Sequence, residues 1–365
     1  MGPADPFSLK KLSLSELPNL KNVWNENPHR IMSMHNLEEI HVEKCERLTC
    51  VIPPIEPKDL VELEDLVEED VLLPFSLLPF LTNLVTFEVN NCDSVKAIIG
   101  VKCTTQDTIT FGLKNLTLYD LPNLENVWNE DPRGILNMNH LQEVNVMQCR
   151  GLTNVFPASI AQDLLELKNL EVEDCKELMT IVAEDDTDPS GANEDLPCPL
   201  VRSLELKGLP MFKYFYYSSR QCDNFAHLES HTENQVSTKK SWKCLSVGKN
   251  GVEMILRGEI QRNLLHNLDV LTLCLGSDVF GYKILEEVPN IEKLVVCDDS
   301  FKEMFCCESG NNVLQQLKVL QLESLGELVS IGLENSWTDS FVRNLETFEV
   351  IKCGSLKSLP RVWVN

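Results

Sequence analysis

Apolar and polar residues follow one frame along most of the chain. Leu37-x-x-Ile40-x-Val42-x-x-Cys45-x-x-Leu48 shows its form. It returns as Leu84, Phe87, Val89, Cys92, Val95; as Leu141, Val144, Val146, Cys149, Leu152; as Leu167, Leu170, Val172, Cys175, Leu178; and as Leu345, Phe348, Val350, Cys353, Leu356. A sister version has Leu in place of Cys: Leu9, Leu12, Leu14, Leu17; Leu113, Leu116, Leu118, Leu121; Leu317, Leu320, Leu322, Leu325. Weaker copies start near Leu63, Val201, Trp242, Leu268 and Ile291. Inside each frame the side chains alternate with the period of an extended strand. Ile40 and Val42 are therefore expected to point inward, and Glu39, His41 and Glu43 outward. One such strand cannot cover its own apolar face. Stacked beside its copies it makes a parallel sheet over a continuous core. The Cys45 position falls where the chain leaves the strand, and a small, half-polar side chain can be buried there cheaply.

Repeat starts lie mostly 21 to 29 residues apart, the period of leucine-rich repeats. The pattern predicts an α/β leucine-rich-repeat solenoid of about 12–13 repeats. Its parallel sheet is expected on a concave face, with a mostly irregular or short-helical convex side. Residues 12–51 and 116–155 align without a gap at an offset of 104, with about half the positions identical, so the array grew by copying blocks of repeats. The expected layout is a first block over 1–212, a polar loop excursion over 213–241, and a second block over 242–365. Acidic stretches at 62–70 and 184–195 are expected as solvated loops.

Charge narrows the partners. Lys and Arg number 32 against 56 Asp and Glu, a net charge of −24. Nucleic acid and anionic membranes recruit clustered basic residues, so neither is expected as a partner. The longest apolar stretch, Val71 to Leu81, is too short to span a bilayer. No secretory pattern opens the chain, and a cytoplasmic location is expected. The fourteen cysteines are therefore expected as thiols.

Enzyme and metal motifs are thin. No G-x-S-x-G or H-E-x-x-H occurs, and Ser237-Thr238-Lys239-Lys240 lacks the partner motifs of an S-x-x-K enzyme. Asp186-x-Asp188-x-Ser190-Gly191 has Pro197 where a calcium loop needs Glu. His227 and His231, with Cys222 and Cys244, are the one group resembling a zinc set; a solvated loop explains them as well, and no metal or cofactor is expected. Cys306-Cys307 does not make a redox motif. Trp24 and Trp128 recur at one repeat phase, which favours packing between turns over ligand binding.

The outward strand positions are the candidate surface. Residues expected to line it are Glu39, His41, Glu43, Glu88, Asn90, Asn115, Thr117, Tyr119, Glu143, Asn145, Met147, Asn169, Glu171, Glu173, Ser203, Glu205 and Lys207, with Thr272, Val295, Gln321 and Glu349 further along. Such a face is acidic, with Tyr119 and Met147 as an apolar anchor in adjacent repeats.

The frame, blocks such as Leu121-Pro122-Asn123-Leu124-Glu125-Asn126-Val127-Trp128, and Val288-Pro289-Asn290-Ile291 followed by Phe301-Lys302-Glu303-Met304-Phe305 resemble one family. It is the leucine-rich-repeat region of plant intracellular immune receptors, the nucleotide-binding, leucine-rich-repeat disease-resistance proteins of the coiled-coil type. The resemblance implies a non-catalytic, autoregulatory recognition module in defence. Its implied partners are a pathogen effector or host protein and the parent receptor's nucleotide-binding domain. No G-x-x-x-x-G-K-[ST] loop occurs in the chain, so ADP or ATP is expected only in a missing upstream domain, and the chain is expected to be a fragment or truncated product. The alternative expectation is a substrate adaptor of a ubiquitin ligase, or a free-standing interaction protein.

Overall fold

The alternating segments form parallel strands. The computed structural model describes residues 9–23, 34–51, 71–101, 108–183, 201–216, 243–258, 260, 262–276, 283–304, 314–331 and 344–357. The 62–70 and 184–195 stretches, Trp24, His227, His231, Cys222, Cys306, Cys307 and most of the 213–241 excursion lie outside them. The chain divides into two compact units, residues 1–200 with 210–235, and residues 201–209 with 236–365. Among the described residues no helix is long and apolar enough to cross a membrane.

In the first unit Lys11–Ser15, Glu39–Glu43, Thr86–Asn90, Asn115–Tyr119, Glu143–Met147 and Asn169–Glu173 pair in that order, all parallel. Their inward residues are buried; Ile40, Val42, Phe87, Val89, Val144 and Val146 are each at most 1% exposed. In the second unit Ser203–Lys207, Cys244–Gly248, Val270–Cys274, Lys293–Cys297, Val319–Glu323 and Thr347–Ile351 pair in the same way.

One expected repeat has no place in the sheet. Glu39–Glu43 pairs directly with Thr86–Asn90, leaving no room between them for a strand from the frame at Leu63. That frame would aim Glu68 into the core, and an unpaired buried carboxylate is costly. Beyond it, Val71–Leu73 is a buried strand that pairs instead with Ala97–Ile99.

A left-handed residue follows most strands. Glu16, Lys44, Asn91, Asp120, Gln148, Asp174, Asp298, Ser324 and Lys352 all have φ between 49° and 58°. This turn lets the first free N–H reach the neighbouring strand: Lys44 donates to the Asn90 carbonyl at 3.0 Å, and Gln148 to that of Glu173 at 2.8 Å. The residue after it in the Cys frame is the cysteine, buried at Cys45, Cys92, Cys149 and Cys175 and half-buried at Cys353. The Cys45 thiol lies 3.4 Å from the Glu43 carbonyl, and that of Cys92 is 3.2 Å from the Asn90 carbonyl. A thiol there satisfies a strand-end carbonyl without leaving a strong donor unpaired.

The return segments differ between the units. In the first, Val71–Leu73, Ala97–Ile99 and Asn126–Trp128 pair with one another, as do Asn154–Phe156, Thr180–Val182 and Tyr214–Tyr216. The excursion expected from residue 213 thus begins with a strand. Trp128 is buried and packs against Phe156 with ring centroids 5.7 Å apart. In the second, the returns are helical: Lys249–Leu256, Arg262–Leu265 and Ile284–Glu287. Gly251 lets the first of these helices lie on its own strand, since a Cβ there would come within 2.9 Å of the Val247 side chain.

Candidate recognition face

Parallel pairing without stagger turns each outward strand position into a row. In the first unit one row runs Lys11, Glu39, Thr86, Asn115, Glu143, Asn169. The middle row is Ser13, His41, Glu88, Thr117, Asn145, Glu171, and the third is Ser15, Glu43, Asn90, Tyr119, Met147, Glu173. Of the residues expected on the face, the fourteen from Glu39 to Glu173 are therefore brought together on neighbouring strands. Ser203, Glu205 and Lys207 stand on the first strand of the second unit.

The rows carry their own hydrogen bonds. His41 is central: Nδ1 lies 2.7 Å from Glu88 Oε2, and Nε2 lies 3.1 Å from Glu39 Oε2. Lys11 donates to Glu39 at 2.8 Å. Hydrogen bonds from Lys11 and His41 hold the Glu39 carboxyl below the usual carboxylate range. Further along, Asn115 donates to Thr86 at 3.4 Å and Asn169 to Glu143 at 3.2 Å. Tyr119 and Met147 are register partners and half-buried. These ion pairs are exposed and screened by solvent, so each adds little to stability. Their larger consequence is to hold acidic side chains in place along the rows.

The second unit presents another surface. Its middle row is Glu205, Ser246, Thr272, Val295, Gln321 and Glu349, and Val270 and Val319 flank Lys293 in the row beside it. Cys274 and Cys297 occupy the last outward positions of adjacent strands, with Cα atoms 5.0 Å apart and their sulfurs joined in a disulfide. This corrects the expectation of thiols throughout. A spacing of 23 residues in sequence does not show the contact; lateral register creates it.

The other described cysteines are outside any disulfide. Burial pushes the Cys92 thiol up to about 11. Cys149 is raised by its hydrogen bond with Cys175 and by burial. Such thiols stay protonated and inert at neutral pH. Cys244, the one described member of the His227/His231 group, is half-buried on its strand and also raised by burial.

Two surface features were missed from the sequence. Lys11, Ser13 and Ser15 belong to the face, and the same alternation that selects Glu39, His41 and Glu43 selects them. The Cys274/Cys297 pair left one weak signal: both residues stand six positions after the starts of their frames, at Leu268 and Ile291.

Stacked parallel strands with buried frame leucines and recurring cysteine turns define a leucine-rich-repeat solenoid. Residues 3–71 and 67–176 match the family described as plant disease resistance protein RPS2-like, leucine-rich repeats. Over that stretch the chain is similar to these plant resistance-protein repeats, and the same frame continues to Leu356. No curated protein matches the chain. A solved structure titled as the crystal structure of a TLR13–ssRNA13 complex aligns at 12% identity and a TM-score of 0.25, over 93% of this chain and 62% of that one. The chain thus spans less than two thirds of that protein's length.

Proposed function

We propose that the chain is a non-catalytic protein-recognition and autoregulatory module of an intracellular plant immune receptor, working in the cytoplasm. The observation that supports this most is the register of Glu39, Glu43, Glu88, Glu143, Glu171 and Glu173 on one set of outward rows, in a stretch matching resistance-protein repeats. Carboxylates held at this density steer basic protein surfaces and repel nucleic acid. The partners are the nucleotide-binding domain of the parent receptor and a pathogen-derived or host protein. Regulation requires that the ligand bind differently to the resting and released states, since only differential affinity moves that balance.

The test uses the full chain, immobilised, and the nucleotide-binding domain of the matching receptor. Binding should weaken as salt rises, because exposed charges are screened beyond about 8 Å at physiological ionic strength. A triple E39K/E43K/E88K variant should bind at least about tenfold more weakly with a flatter salt dependence. A folded chain that does not bind, or binding indifferent to the charge reversal, would sink the proposal.

A further inference from the structure

We propose that Cys274, Cys297 and Asp298 form a binding site for a thiophilic divalent cation of the zinc type, open when the cysteine pair is reduced. Three observations carry this. The two sulfurs and a carboxylate oxygen of Asp298 all lie within 4.8 Å of one another. Both cysteines are half-buried and Asp298 is exposed, so a cation and its water can reach them. The backbone holds the set in place, because Cys274 and Cys297 end adjacent paired strands and Asp298 follows at φ 54°.

The surroundings fit a cation. Gly248 precedes Cys274 in register and offers no side chain to block approach from that side. Glu323 stands opposite Cys297 on the next strand, a second carboxylate beside the set. Two thiolates and one carboxylate, with water at a fourth position, suit tetrahedral zinc coordination. Sulfur donors select zinc over magnesium or calcium. The frame cysteines Cys45, Cys92, Cys149 and Cys175 do not compete, since all four are fully buried.

Each step balances. Two glutathione molecules reduce the Cys274–Cys297 bond, giving two thiols and one glutathione disulfide. The cation then binds two thiolates, and two protons leave. Oxidation by glutathione disulfide reverses the sequence and expels the metal. The site thus couples metal occupancy of the second unit to thiol redox state.

The experiment titrates Co2+ into the full chain, reduced with a phosphine that does not bind the ion, and reads the thiolate-to-cobalt charge-transfer absorption. One Co2+ per chain is expected, displaced by Zn2+. The band should vanish in C274S and in C297S, and persist in C353S. D298N should weaken affinity about tenfold or more, and Asn tolerates the left-handed turn, so this variant separates a lost ligand from a lost fold. Chain pretreated with glutathione disulfide should give no band. The proposal fails if the band survives both cysteine substitutions. It fails equally if no band forms while thiol titration shows Cys274 and Cys297 free, or if the pair stays oxidised in a glutathione mixture of cytosolic poise.

Discussion

The duplicated blocks 12–51 and 116–155 repeat one backbone and present two different faces. Glu16 and Asp120 take φ 56° and 49°, and Lys44 and Gln148 take 50° and 58°. The Cys45 thiol lies 3.9 Å from the Leu14 carbonyl, and the Cys149 thiol 3.9 Å from that of Leu118. Outward, little is kept. Lys11, Ser13 and Ser15 correspond to Asn115, Thr117 and Tyr119, and Glu39, His41 and Glu43 to Glu143, Asn145 and Met147. The first block therefore carries the bridge from Glu39 through His41 to Glu88, and the second carries the Tyr119–Met147 pair. Burial explains the split: inward and turn positions contribute to stability in every rung, while outward side chains are free to change with the partner.

The sharpest way to break this equivalence is in the core. Leu118 is fully buried, whereas its counterpart Leu14 is half-buried. Leu118→Ala should cost about 2–5 kcal/mol, and Leu14→Ala clearly less. Urea unfolding midpoints of the two variants measure the difference; equal losses would show that the two blocks are packed alike.

The turn gives the next largest effect. Gln148→Ile should destabilise by about 1–2 kcal/mol, because a β-branched side chain resists positive φ. Gln148→Gly should be neutral or slightly stabilising, since the relief of the turn offsets the added freedom of the unfolded chain. The same pair of changes at Lys44 should repeat the result by thermal denaturation. A matching loss in both substitutions at either site would remove the conformational explanation.

Exchanging face residues should change stability least. His41→Asn and Asn145→His each shift stability by less than about 1 kcal/mol. Binding to a basic protein partner should respond to His41→Asn, which frees Glu39 and Glu88 from the imidazole, and much less to Asn145→His. Calorimetric titration of both variants distinguishes them. An equal response would mean that the face acts through net charge alone.

Much of this fold was legible in the chain. Period-two alternation located the strands beginning at Lys11, Glu39, Thr86, Asn115, Glu143 and Asn169, because each rung must bury one face. The frame at Leu63 misled, since spacing alone counts it as a rung while the charge of Glu68 argues against it. The left-handed turn was only half legible. Asn91, Asp120, Asp174 and Asp298 are residue types that tolerate it, but Glu16, Lys44 and Gln148 carry no local signal and are held there by the cross-strand hydrogen bond. Short helical returns were expected, but those of the second unit were not located; an eight-residue helix such as Lys249–Leu256 is too short to declare a period.

The sequence by itself determined which side chains face the core and which face outward, because alternation and burial are properties of each segment taken alone. It also determined the thiol turns, since the cysteine recurs at one place in the frame. Only the tertiary structure decided which outward residues become neighbours. His41 meets Glu88 across 47 positions, and Cys274 meets Cys297 across 23. Those distances follow from the length of each return loop and the unstaggered register of the strands, and neither is encoded in the residues that come to touch.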